Sequence, residues 1–158
     1  MYEIFADLHV HIGRAENGKP IKITAARSLN FANIAKECYE RKGVQVVGII
    51  DCASPYVIED IEEFLKTGEA YEIEDGGIIY KDKVCILLGA EVETSEVGRN
   101  GHKGAAHNIC FFPHLKDIKG FSNEMRHHIK NITLSTKRSD LSGYELIDIV
   151  EKYNGILI

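Results

Sequence analysis

Residues 44–50 read Val-Gln-Val-Val-Gly-Ile-Ile, a nearly unbroken apolar run. A strand with one wet face alternates polar with apolar side chains. A continuous run instead suits a strand covered on both faces, as in parallel sheets. The stretch before it, residues 28–42, places Phe31, Ile34, Ala35 and Cys38 on one helical face, with Ser28 as a cap and Gly43 as a stop. Residues 5–13 alternate like a strand. Strand, helix, strand at this spacing predicts a right-handed parallel crossover, and therefore the α/β class.

Residues 5–13, Phe-Ala-Asp-Leu-His-Val-His-Ile-Gly, also carry chemistry. Period-two alternation puts Asp7, His9 and His11 on one face and Leu8, Val10 and Ile12 on the other, with same-face neighbours about 7 Å apart. Neutral imidazole is the commonest biological metal ligand, and two imidazoles at one strand end can share a divalent ion. The run 44–50 ends in Asp51-Cys52. Reactive groups gather where parallel strands finish, so Asp51 is expected on the same rim as His11, with Cys52 a buried thiol.

The remaining chain extends this pattern. Residues 13–23 form a loop by their glycines and proline, and Arg14, Lys19 and Lys22 in it could receive a phosphate. Ser54-Pro55 opens a second helix, ended by Gly68. Residues 69–82 read as a hairpin around Asp75-Gly76-Gly77. The apolar run 84–88 leads into Gly-Ala-Glu-Val-Glu, with Glu91 and Glu93 facing the same way, and a carboxylate at this third strand end could bridge two cations. Residues 94–106 are polar and glycine-rich and are expected to be a mobile loop. His107 opens the strand 108–112 as a further candidate ligand, whereas His102 and His114 read as solvated loop residues. Residues 120–130 suggest a helix with His127 and His128 on its surface. Ser142 and Glu145 have capping-box spacing before a helix to Tyr153, then Gly155 and a strand at 156–158.

Composition narrows the class. With 158 residues, 44% apolar and 27% charged, the chain suits one soluble domain. No apolar run approaches a membrane span and no signal pattern opens the chain, so a cytoplasmic protein without membrane partners is expected. Cys38, Cys52, Cys85 and Cys110 form no CxxC pair and read as thiols. A net charge of −5 makes any nucleic-acid contact local rather than global.

Asp7-Leu8-His9-Val10-His11 resembles the first motif of the PHP (polymerase and histidinol phosphatase) metallophosphoesterases. Asp51 after its apolar strand, Glu91 in Gly89-Ala90-Glu91-Val92, and His107 resemble the motifs that follow in order. The likeness is closer to the endonuclease Q-like branch. It extends to Ile12-Gly13-Arg14, Gly18-Lys19-Pro20, His107 ahead of Ile109-Cys110-Phe111-Phe112-Pro113, and Asn131 through Arg138.

The resemblance implies the N-terminal part of a distorted (β/α)7 barrel holding up to three divalent ions, zinc or manganese, at its C-terminal rim. It implies an endonuclease acting in DNA repair on the 5′ side of deaminated or abasic sites, with damaged DNA as partner. On this reading His9, His11 and Glu91 hold one ion, and Glu91 bridges to a second held by His107. Asp7 and Asp51 are the carried-over catalytic positions. Arg14, Lys19, Lys22, Lys137 and Arg138 are the expected phosphate contacts. Asp51-Cys52 departs from the family's Asp-His pair, which bears on the third ion.

The family's late motifs have no counterpart up to Ile158. Residues 1–158 are therefore expected to be one incomplete PHP domain with weak metal retention and little activity by itself. The rivals are a histidinol-phosphatase-type phosphomonoesterase and an inert PHP scaffold. The sequence fixes no oligomeric state.

Overall fold

The computed structural model describes residues 3–98, 100–135 and 137–158, with Lys137 described by its backbone. Strand β1 (Ala6–Val10) lies parallel to β2 (Val46–Ile49), and β2 parallel to β5 (Val84–Val97). Between β1 and β2 run α1 (Phe31–Glu37) and a π-helical turn (Cys38–Lys42) that Gly43 ends at φ 63°. The crossover read from residues 5–50 is thus present. Its cap differs: the Asn30 side chain, not Ser28, accepts the Asn33 N–H, and Ser28 instead gives its carbonyl to Asn33 Nδ2.

Helix α2 (Pro55–Lys66) follows β2. Ser54 holds its N-cap position, yet its hydroxyl donates to the Thr133 carbonyl (2.9 Å). The hairpin of β3 (Ala70–Glu72) and β4 (Ile78–Tyr80) turns through Gly76 and Gly77 at φ 101° and 98°, backbone that only glycine adopts without strain.

Strand β5 is the hub. Its start pairs with β4 and β2, its outer part with β6 (Lys103–Phe112), and residues 92–93 with β7 (Lys137–Arg138). Residues 94–106 are therefore a paired hairpin rather than the expected mobile loop. The register Thr94↔Ala106 through Val97↔Lys103 continues the ladder, and beyond it Gly98 N–H bonds the His102 carbonyl (2.9 Å) and Gly101 N–H the Gly98 carbonyl (2.8 Å). Backbone pairing satisfied a segment whose polar, glycine-rich composition suggested none.

Helix α3 spans Leu115–Met125, earlier than expected, so His127 and His128 lie in the turns beyond it. Helix α4 (Gly143–Lys152) begins with the anticipated Ser142/Glu145 capping box. Strand β8 (Ile156–Leu157) then pairs antiparallel with β6. Among the described residues no helix is long and apolar enough to cross a membrane, and no disulfide joins the four cysteines.

The two faces of the sheet differ in composition. Val47, Ile49, Ile86, Leu88, Ala90, Val92, Cys110 and Phe112 belong to the buried core, which the helices complete with Phe31, Ile61, Phe64, Ile118, Phe121 and Leu146. The alternate β5 positions Leu87, Gly89, Glu91 and Glu93 point the other way, with Phe111, Ile109 and His107 directly opposite the last three. A Cβ at Gly48 would stand 2.7 Å from the Leu8 carbonyl oxygen and 2.9 Å from Phe111 Cε1. Glycine there leaves room for the Leu8 backbone and the Phe111 ring. This second face is apolar at Leu8, Leu87 and Phe111 and becomes acidic and imidazole-bearing toward Glu91, Glu93 and His107.

Candidate metal centre

His11 follows β1 immediately, in a position fixed by its neighbours. The chain turns at Gly13, whose modest size is needed because a Cβ would lie 2.0 Å from the Ala26 carbonyl oxygen. Ile12 is fully buried and Lys22 N–H bonds the Ile12 carbonyl (2.9 Å), so the residues flanking His11 are anchored. Asp51 leaves the end of β2 through an isolated bridge to Ala90 and is fully buried. Its Oδ2 accepts the Ile12 N–H at 2.7 Å and faces His11 Nδ1 at 3.1 Å.

That contact decides what His11 can do. The network assigns the ring proton to Nδ1, donated to Asp51, and leaves the Nε2 lone pair to accept from the Lys22 ammonium at 2.6 Å, with Glu91 Oε2 3.5 Å from the same atom. A buried carboxylate that fixes the tautomer and orientation of an imidazole is the recurrent support of a metal-binding histidine. Ser135 Oγ, 3.0 Å from His11 Nδ1, adds a second brace from a loop 124 residues away. His9 stacks edge-on against His11, ring centroids 5.3 Å apart. One donor atom each from His9, His11 and Glu91 lies within 4.8 Å of the others.

Two imidazoles and a carboxylate with open positions are a donor set that fits a divalent ion such as zinc, in the manner of sites that keep room for water or substrate. Glu91 Oε1 accepts from His107 Nδ1 at 2.8 Å. Glu91 thus reaches His11 with one oxygen and His107 with the other, the placement a bridging carboxylate needs. Glu93, opposite His107 in the ladder, approaches His107 Nε2 at 3.6 Å and Arg138 Nε at 3.3 Å.

The structure therefore brings together His9, His11, Asp51, Glu91 and His107 from β1, β2, β5 and β6. Asp7 is not with them. The β1–β2 register shifts between Asp7 and Val10, which breaks the expected alternation. Asp7 accepts the His9 N–H (3.2 Å) and lines a groove with Val10, Leu29, Ile34 and Cys38. There burial, then the Asp7 carboxylate, push the Cys38 thiol above its ordinary range. Asp51 stands behind His11 rather than open to a substrate.

Of the expected phosphate contacts, Lys22 donates to His11 Nε2 at 2.6 Å and so belongs to the cluster itself. Arg138 reaches its border through Glu93. Arg14 instead donates to the Gly18 carbonyl in its own loop, and Lys19 is exposed in that loop. The Lys137 side chain lies outside the described residues. Ser135 was not singled out from the sequence; a serine has no period or spacing that marks it, and only the fold brings it to His11.

The sheet and its helices define an endonuclease Q-like fold. The crystal structure of an endonuclease Q complex with a 27-mer duplex bearing an abasic lesion superposes with a TM-score of 0.70 at 22% identity, over 96% of this chain and 33% of that one. The lesion-specific endonuclease PfuEndoQ from Pyrococcus furiosus gives a TM-score of 0.70 at 21% identity, over 98% of this chain and 33% of its own. In sequence, the uncharacterized protein YqxK of Bacillus subtilis is 40% identical across all 158 residues, which make up 40% of its length. The chain thus spans well under half of the relatives it matches. No protein-family model matches it.

Proposed function

We propose that this chain is the PHP-type, metal-bearing portion of a phosphoesterase that acts in DNA repair as an endonuclease cutting 5′ of deaminated or abasic sites. One observation carries the reading: donor atoms of His9, His11 and Glu91 converge within 4.8 Å, from strands far apart in sequence, with Asp51 orienting His11. The shared fold with lesion-specific endonucleases supports the substrate class.

His9, His11 and Glu91 would hold one zinc or manganese ion, with His107 at a second position shared through Glu91. Bound divalent ions supply a hydroxide nucleophile near neutral pH and offset the charge developing on a phosphodiester. The chain's own groups do the rest. Asp51 and Ser135 keep the His11 ring in register. Lys22, whose ammonium already lies in the cluster, and Arg138 at its edge are the cations placed to meet a phosphate oxygen. No serine or cysteine nucleophile is required.

The test pairs metal titration of the chain with cleavage of DNA containing deoxyinosine or an abasic site, by this chain and by a protein of its relatives' full length. Metal-dependent incision 5′ of the lesion is the expected result at full length, with weak metal retention and low activity for residues 1–158 alone. Hydrolysis of phosphomonoesters with indifference to DNA would replace the endonuclease with a histidinol-phosphatase-type enzyme. Absence of any hydrolysis at full length, with metal supplied, would leave a scaffold.

A further inference from the structure

Beyond the C-terminus of α3 the chain doubles back on itself. Ile129 and Ser139, both buried, form an isolated antiparallel bridge, and Asp140 N–H bonds the His128 carbonyl at 3.3 Å. The two strands of this return hold open a groove whose walls carry Arg126, Lys130 and Arg138. Its one acid, Asp140, is held by His128 Nδ1 at 2.9 Å. Among the described residues no carboxylate lies within ion-pairing distance of Arg126 or Lys130, and both are exposed.

A chain with net charge −5 has thus gathered three cations on one return, and of these Arg126 and Lys130 have no carboxylate partner among the described residues while Arg138 meets Glu93. Their mutual repulsion does nothing for folding. The groove also has a direction. Arg138 lines it and, through β7, stands opposite Glu93, two residues along the same face from Glu91. The same return carries Ser135, whose hydroxyl reaches His11. One end of the segment therefore touches the candidate cation cluster, and the other presents unpaired positive charge. An open groove with several cations suits a string of phosphates better than a single anion.

We infer that this groove holds the sugar-phosphate backbone of a DNA strand and leads it to the His9/His11/Glu91 cluster. Arg126 and Lys130 are phosphate contacts away from the chemistry, and Arg138 stands at the junction. The inference rests on the proposed function for its destination only. These contacts position a strand and read no sequence.

The experiment measures fluorescence anisotropy of a labelled DNA oligonucleotide across a salt series. It compares the protein with Arg126→Ala/Lys130→Ala and with the charge-keeping Arg126→Lys/Lys130→Arg. Hydrolysis of bis-p-nitrophenyl phosphate, a diester too small to span the groove, is followed in parallel. The double alanine variant should bind DNA about tenfold more weakly or worse at low salt, with a log K against log[salt] slope shallower by about 1.4–1.8. The charge-keeping variant should restore both, and the small-diester rate should not change. Wild-type affinity and slope in the alanine variant would overturn the inference, as would failure of the charge-keeping variant to restore binding or absence of DNA binding by the protein. A changed salt slope in a protein of the relatives' full length that hydrolyses no diester with metal supplied would uphold the groove and sink the metal-hydrolase reading. Diester hydrolysis with DNA affinity indifferent to both cations would do the reverse.

Discussion

His11 and His107 flank the same glutamate, yet the molecule treats them differently. The His11 side chain is 17% exposed and is held by Asp51, Ser135 and Lys22. The His107 side chain is 57% exposed, and its partners are Glu91 and Glu93 on the neighbouring strand. One imidazole is set by a fully buried carboxylate; the other is more than half exposed and meets two acids of the neighbouring strand. The lesson is that the cluster has a preorganised side around His11 and an open side around His107. A first ion should depend steeply on His11 and on Glu91, which faces it, and weakly on His107.

Removing a ligand should have the largest effect. His11→Ala or Glu91→Ala should weaken binding of the first zinc or manganese ion by more than ~100-fold in a chelator-competition titration, because ligand loss exceeds the 10–100-fold typical of an outer partner. Asp51→Asn tests whether the His11 side is truly preorganised. It should cost ~10–100-fold in metal affinity by freeing the His11 tautomer, and an unchanged affinity would break the contrast between the two sides.

Asp60 tests the loop that carries Lys22. Its carboxylate accepts the Glu16 N–H at 3.0 Å, and burial pushes it up to about 6, with that N–H partly opposing. The native state therefore holds this proton more tightly than the unfolded chain does. The contribution to stability is greatest below the ordinary carboxylate range and is lost as pH rises toward about 6. Asp60→Asn keeps an acceptor and removes the buried charge. It should raise stability above pH 6 by about 1 kcal/mol, with ~3 kcal/mol as the ceiling, and flatten the melting-temperature profile at lower pH. A lower melting temperature at pH 7 would show that the charge itself anchors the loop. The smallest effect belongs to His107→Ala, which should change first-ion affinity by less than about fivefold while diminishing any second binding step. A loss matching that of His11→Ala would erase the distinction.

What could be read from the sequence follows the same division. The run 44–50 and the alternation at 84–93 announce themselves, because burial on both faces and period-two patterning are written in consecutive residues. The convergence of His9, His11, Asp51, Glu91 and His107 was legible for the same reason: each sits within, just past or just ahead of such a run. Asp7 was expected on the face of His9 and His11, but the β1–β2 register shifts between Asp7 and Val10, and such a local irregularity leaves no mark on hydrophobic pattern. The hairpin at 94–106 was hidden because its stability comes from cross-strand pairing with residues of the same polar, glycine-rich composition. Ser135 and the placement of Lys22 were invisible because both depend on where the loops after β1 and α3 come to rest.

Anomalous diffraction from zinc-soaked crystals of the protein would test the shared cation site most directly. The account predicts a peak at about 2.0–2.2 Å from one nitrogen each of His9 and His11 and one oxygen of Glu91, with Asp51 still bonded to His11 Nδ1 and the Lys22 ammonium moved off Nε2. A zinc peak elsewhere, with Lys22 still on His11 at saturating metal, would contradict it.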